Sequence, residues 1–150
     1  MRAIVQRVTE ASVKIDQNIR AAISNGLLIY VGIEDADNLE DCIWISNKIC
    51  GLRIFNDQSG QMNCSIKEIA GEILLISQFT LHASTKKGNR PSFLKASKSE
   101  FARPLYEQLI IQFEKVLLKK ISAGVFGADM KVTSINDGPV TIIIDTKNKE

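Results

Sequence analysis

The chain has 150 residues, of which 45% are hydrophobic and 24% charged, and carries a formal net charge of +2. That length fits one domain over 1–150 able to bury roughly 70% of its unfolded surface, and no apolar run approaches the roughly 18 residues of a membrane span, so a soluble, non-membrane chain is expected. The charge is too small for indiscriminate nucleic-acid binding, and a polyanion would have to be met by a local patch.

From Arg2 to Ile15, Ala3, Val5, Val8, Val13 and Ile15 stand between polar neighbours, which predicts one long strand or two with a bulge. Asp16 to Asn18 reads as a turn, Ile19 to Ile23 as a short strand, Asn25-Gly26 as a second turn, and Leu27 to Ile33 as a buried strand. Asp37 with Glu40 resembles a capping box. The helix it opens carries Leu39, Cys42, Ile43, Ser46, Ile49 and Cys50 at helical spacing, with Gly51 as a left-handed stop. Leu52 to Phe55 is expected as a strand, Asn56 to Gly60 as a turn, and Met62 to Glu68 as loop.

An apolar strand from Glu72 then runs into a polar tetrad, Ser77-Gln78-Phe79-Thr80, and a basic loop follows. Ser97 or Ser99 is placed to cap a second helix bearing Leu105, Leu109, Phe113, Val116 and Leu117, which Pro104 either restarts or kinks. Lys119 and Lys120 fall in its last turn by this reading. Gly124 to Gly127 turns, Met130 to Ile135 and Val140 to Asp145 are strands about an Asn136-Asp137-Gly138 turn, and Lys147 to Glu150 is a frayed tail. Strands outnumber helices without regular alternation, which predicts an α+β fold with a curved, barrel-like, mainly antiparallel sheet and two packed helices.

His82 is the only histidine, so a nucleophile–base pair must use it. On an extended strand Gln78, Thr80 and His82 share a face, which makes Thr80 with His82 conceivable; the plainer reading is a partly exposed histidine at a strand end. Cys42, Cys50 and Cys64 lack CxxC spacing and the residues after Met1 do not pattern as a secretory signal, which predicts inert free thiols in a reducing cytoplasm. No metal-ligand spacing and no phosphate-cradling glycine motif is present, so neither metal nor cofactor is expected. What remains is backbone: the amides of Gln78, Phe79 and Thr80 at a strand's mouth could form an oxyanion hole, the alternative being a polar strand end with satisfied hydrogen bonds. Lys86, Lys87, Arg90, Lys95 and Lys98 form either a phosphate-contacting patch or a solvated loop. Gly138-Pro139 is one of the few bonds able to be cis at modest cost, though spacing alone supports only a turn.

Six segments in order, MRAIVQRV, GLRIFND with MN following, SQFTL, KKGNRPSF, FGADM and NDGPVT, make the chain resemble the D-aminoacyl-tRNA deacylase family nearly end to end. Gln61 stands where that family commonly has Lys, and His82 where it commonly has Tyr, which counts against an essential His82. The resemblance implies a cytoplasmic homodimer whose sites lie at the subunit interface and hydrolyse D-aminoacyl-tRNA, as well as glycine mischarged on tRNA(Ala). It implies catalytic roles for Ser77, Gln78, Phe79 and Thr80, a cross-subunit filter at a cis Gly138-Pro139 that excludes L side chains, substrate contacts from Arg7 and Met130, and tRNA contacts from Lys86, Lys87 and Arg90. Two other classes stay open: a dimeric RNA-binding module without catalysis, and an esterase of small esters with Thr80 as nucleophile.

Overall fold

The two-residue periodicity after Met1 becomes β1 (Arg2–Ile15), and the sheet is arranged around it. The computed structural model describes residues 1–149. Asp16 and Gln17, at φ 48° and 66°, reverse the chain into β2 (Asn18–Ile23), since two left-handed residues match the twist of the strands they join. β3 (Gly26–Gly32) pairs antiparallel with the first half of β1, and β2 with the second. Along the other edge of β1 runs β8 (Lys131–Asp145), also antiparallel. β6 (Glu72–Ser77) lies parallel to β3, and β7 (Ser122–Ala123) parallel to β6. A small separate hairpin joins β4 (Phe55–Asn56) to β5 (Met62–Cys64). With α1 (Leu39–Gly51) and α2 (Ser99–Leu117) packed on it, this curved, barrel-like mixed sheet is an α+β fold.

The central strands are apolar throughout because both faces are covered. Leu27, Ile29, Ile73 and Leu75 point into a core shared with Ile45, Ile49, Tyr106 and Phe113 of the helices. Leu28, Leu74 and Ile76 face the other way, into the curve of the sheet, with Val8, Ala11 and Val13. Each fully buried side chain of this size contributes about 1.5–3 kcal/mol. The Tyr106 hydroxyl donates to Leu75 O at 2.9 Å and so fastens α2 to β6.

Several sequence expectations are corrected. The capping box is formed by Asn38 and Asp41, one residue beyond the Asp37–Glu40 pair: Asn38 Oδ1 accepts from the Glu40 and Asp41 amides, and Asp41 accepts from the Asn38 amide. Asp37 instead receives the Met1 ammonium and the Glu34 amide. Gly51 is helical, and the cap after it is an extended Leu52 at φ −62°; Leu39 and Ile43 are exposed, while Ile45 carries the buried face. The strand expected at Leu52 to Phe55 is confined to β4, and Met62–Cys64, expected as loop, is its partner. α2 has Lys98 at its N-cap with no side-chain cap, runs unbroken through Pro104, and ends before Lys119 and Lys120. Met130 to Ile135 and Val140 to Asp145 belong to one strand, so Asn136-Asp137-Gly138 is not a reversal. Of the tail expected to fray, Lys147 Nζ lies 2.7 Å from Asp41 Oδ2 and Lys149 Nζ sits 4.6 Å from the Trp44 ring centroid; Glu150 lies outside the described residues.

Gly26 stands opposite Glu72 where β3 and β6 begin. A Cβ there would overlap the Glu72 carbonyl oxygen and lie 2.7 Å from Glu72 N, both backbone atoms that cannot swing aside. Gly26→Ala should therefore lower unfolding free energy by about 3 kcal/mol or more, read from urea denaturation; a loss near 1 kcal/mol would mean that the strands can part without cost.

Candidate active site

β6 ends at Ser77 opposite Val31, and the Gln78 amide still donates to Val31 O at 2.7 Å. That amide is thus spent in the sheet, contrary to expectation. The chain then tightens into a 3-10 turn, Phe79–His82, closed by Leu81 N to Gln78 O at 3.3 Å and Ala83 N to Thr80 O at 3.0 Å. A turn of this kind has no internal acceptor for its first amides, here those of Phe79 and Thr80. Because residues 78–82 are not extended, Gln78, Thr80 and His82 do not share a strand face. Thr80 Oγ1 accepts from Gln78 Nε2 at 2.7 Å, whereas His82 is 1% exposed and neither of its ring nitrogens has a hydrogen-bond partner. The expected partly exposed histidine is buried, and it is no base for Thr80.

Ser77, Gln78 and Phe79 line a cavity of about 520 Å³ together with Met130, Tyr30 and Phe126. Gly124 makes room for the Met130 side chain, since a Cβ there would run into its sulfur. Phe79, 55% exposed, meets Phe93 edge-on with ring centroids 5.1 Å apart. Phe93 lies just beyond the basic loop, which is pinched at its base by the Ser84–Ser92 bridge. Lys86, Lys87 and Arg90 are all exposed on that loop. The KKGNRPSF segment contained this ring partner, but nothing in its spacing showed that it folds back onto the tetrad.

Arg7, expected on an exposed strand surface or near the substrate, is 6% exposed. Its Nη1 donates to Ile54 O at 2.7 Å and Asn56 Oδ1 at 3.4 Å; its Nε donates to Asp137 O at 3.2 Å and lies 2.9 Å from Asp137 Oδ2. This ties β1 to the β4 hairpin and to a bulge in β8, where the pairing jumps from Gln6–Thr141 to Val8–Asn136. Inside the bulge the Val140 amide bonds the Asn136 side chain at 3.1 Å. The Gly138–Pro139 peptide is cis, and Gly138 has φ 123°. A Cβ on Gly138 would lie 2.9 Å from Val140 Cγ2 and 3.1 Å from Arg7 Nη2, so only glycine fits. Within one copy, then, the residues fall into two groups: Ser77, Gln78, Phe79 and Met130 line the cavity, while Thr80, Arg7, Gly138 and Pro139 are not among its lining residues.

Burial pushes the thiols of Cys42 and Cys50 up to about 12, consistent with inert core cysteines. One ligand atom from each of Glu34, Asp37 and His82 lies within 4.8 Å of the others. Asp37 and His82 are 45 positions apart in the chain, so no spacing rule could have found the trio.

A family profile described as D-Tyr-tRNA(Tyr) deacylase matches residues 4–145. A protein of Flavobacterium psychrophilum named D-aminoacyl-tRNA deacylase is 62% identical over 150 residues, covering all of both chains. One of the same name from Bacteroides thetaiotaomicron is 59% identical with the same coverage. Among solved structures, a c-Myc DNA unwinding element binding protein superposes with a TM-score of 0.91 at 39% identity, over 97% of this chain and 99% of that one. A probable eukaryotic D-amino acid tRNA deacylase superposes with a TM-score of 0.84 at 15% identity, over 95% and 97% of the two chains, and shares the fold.

Arg7→Ala should cost about 2–3 kcal/mol, because the Ile54 carbonyl loses its charged donor in a buried place. Arg7→Lys should recover less than half of that, since one ammonium cannot serve acceptors on two sides of the fork. Full recovery by lysine in a denaturant titration would show that charge alone holds the bulge.

Proposed function

Because the chain belongs to the D-Tyr-tRNA(Tyr) deacylase family, we propose that it hydrolyses the ester joining a D-amino acid, or glycine mischarged on tRNA(Ala), to the terminal adenosine of tRNA. In this reading it acts as a cytoplasmic homodimer with a site at each subunit interface. As a D-aminoacyl-tRNA deacylase it is an ester hydrolase. No helix among the described residues is long and apolar enough to cross a membrane. The observation that carries the site assignment is the cavity that Ser77, Gln78, Phe79 and Met130 line together, with Phe79 opening the 3-10 turn.

In the proposed mechanism water attacks the ester carbonyl, and the amides of Phe79 and Thr80 take the developing negative charge. The 2′-hydroxyl of the adenosine assists, and the tRNA 3′-oxygen leaves. Two features favour water over a covalent Thr80: its hydroxyl oxygen already accepts the Gln78 amide, and the only histidine is buried without a hydrogen bond to it. Selection against L substrates falls to the main chain of Gly138 and Pro139 from the second copy, which would bring together the two groups of residues that lie apart in one chain. Rejecting L by 10⁴ requires about 5.5 kcal/mol, which a clash with backbone supplies more readily than attraction to a small side chain. Lys86, Lys87 and Arg90 meet tRNA phosphates, so binding weakens as salt rises.

Purified protein given matched D-, L- and glycyl-tRNA should release D-amino acid and glycine and leave the L ester intact. Resistance of glycyl-tRNA would end the steric-filter reading, and binding with no release of any amino acid would leave an RNA-binding module. Thr80→Ala should retain most of kcat; an acyl group trapped on Thr80 would overturn the water mechanism.

A further inference from the structure

We infer that Glu34, Asp37 and His82 form a site for one divalent cation of the zinc class. His82 closes the 3-10 turn, is 1% exposed, and leaves both Nδ1 and Nε2 without a hydrogen-bond partner. Buried polar atoms in folded proteins are satisfied in the great majority of cases, and an orphan calls for a ligand or water. Its ring packs close over Gly32, where an added Cβ would lie 3.0 Å from His82 Cδ2. One ring nitrogen and one carboxylate oxygen from each of Glu34 and Asp37 lie within 4.8 Å of one another.

The charges around the site point the same way. Glu34, Asp37 and Asp41 present three carboxylates, and the ammonium groups that meet them are those of Met1 and Lys147. Met1 N bonds Asp37 and lies 3.9 Å from Glu34, while Lys147 Nζ lies 2.7 Å from Asp41 and 3.7 Å from Asp37. One negative charge is left over, and a dication would more than balance it.

An imidazole with two carboxylates is a donor set that zinc accepts, with bonds of about 2.0–2.2 Å; magnesium and calcium favour oxygen alone. Around zinc the ligand atoms would draw in to roughly 3.3 Å from one another. The Glu34 side chain, 24% exposed, is the one free to make that movement. A second cavity, of about 680 Å³, is lined by Glu34 and Asp37 and gives the cation a route in. Bound there, it would clip the end of the 3-10 turn to the connection between β3 and α1, making His82 a positioning residue for the turn that carries Phe79 and Thr80.

The test uses untagged, metal-free protein in a Cys64→Ser background, so that the half-buried thiol does not compete. It is titrated with Co²⁺ followed by visible absorption and with Zn²⁺ followed by calorimetry and thermal melting. One equivalent should bind, and free Zn²⁺ at about 100 times Kd should raise Tm by roughly 5–10 °C. His82→Asn and Glu34→Gln should each weaken binding at least about tenfold, with folding checked by circular dichroism. If His82→Asn does not fold, the partly exposed Glu34→Gln decides. Absence of stoichiometric binding to the starting protein, or affinity unchanged in Glu34→Gln, would overturn the site, and neither readout depends on ester hydrolysis.

Discussion

A strand hydrogen-bonded along both edges cannot slip by one residue without turning every side chain to the wrong face, and β1 is in that position over most of its 14 residues. β2 and β3 share one edge and β8 takes the other, so the register of β1 fixes three further strands at once. Through β3 it also fixes β6, whose parallel partnership runs from Glu72 to Ser77 and delivers Ser77, Gln78 and Phe79 to the wall of the cavity. The irregularities in the pairing of β1 with β8 fall around Arg7. There the strand departs from simple alternation to hold the bulge that carries Gly138 and Pro139.

The central strands contribute packing on both faces, which leaves their ends to supply chemistry. Ser77 to Thr80 follow the end of β6, Glu34 follows β3, and His82 closes the turn between them and the basic loop. The turn is anchored at three points: the Gln78 amide by Val31, Phe79 by Phe93, and the Leu81 carbonyl by Arg2 at 3.2 Å. The tetrad thus departs directly from the last paired residues of β3 and β6, Val31 and Ser77.

Much of the fold was legible because two-residue alternation and continuous apolar runs are local signals: the spans of β1, β3 and β6 and the turn at Asp16-Gln17 follow from them. What was not legible depended on partners far away. Asp37 was as good a cap as Asn38 until the Met1 ammonium claimed it. The Asn136 to Pro139 segment has turn composition, yet it stays in a strand because Asn136 and Arg7 satisfy the backbone groups that the bulge frees. Two-residue strands such as β7 have no period to detect. Lys147 reads as a tail until Asp41 is seen beside it. The tetrad was found from its composition and from family likeness, but the 3-10 turn that removes His82 from Thr80 and sends it toward Glu34 and Asp37 could not be read from an apolar strand running into polar residues.

The bulge has one more consequence. Among the described residues β8 pairs only with β1, so its outer edge is a row of open backbone groups flanked by apolar side chains, with Ile135 53% and Ile143 75% exposed. Such edges invite foreign strands to add themselves indefinitely. Here the row is cut in two by residues 137–140, where proline offers no donor and the pairing registers of the two halves differ by two residues. A stray strand could zip along one half but not continue through the other, so the kink that seats Gly138 against Arg7 also works as a guard against fibre growth.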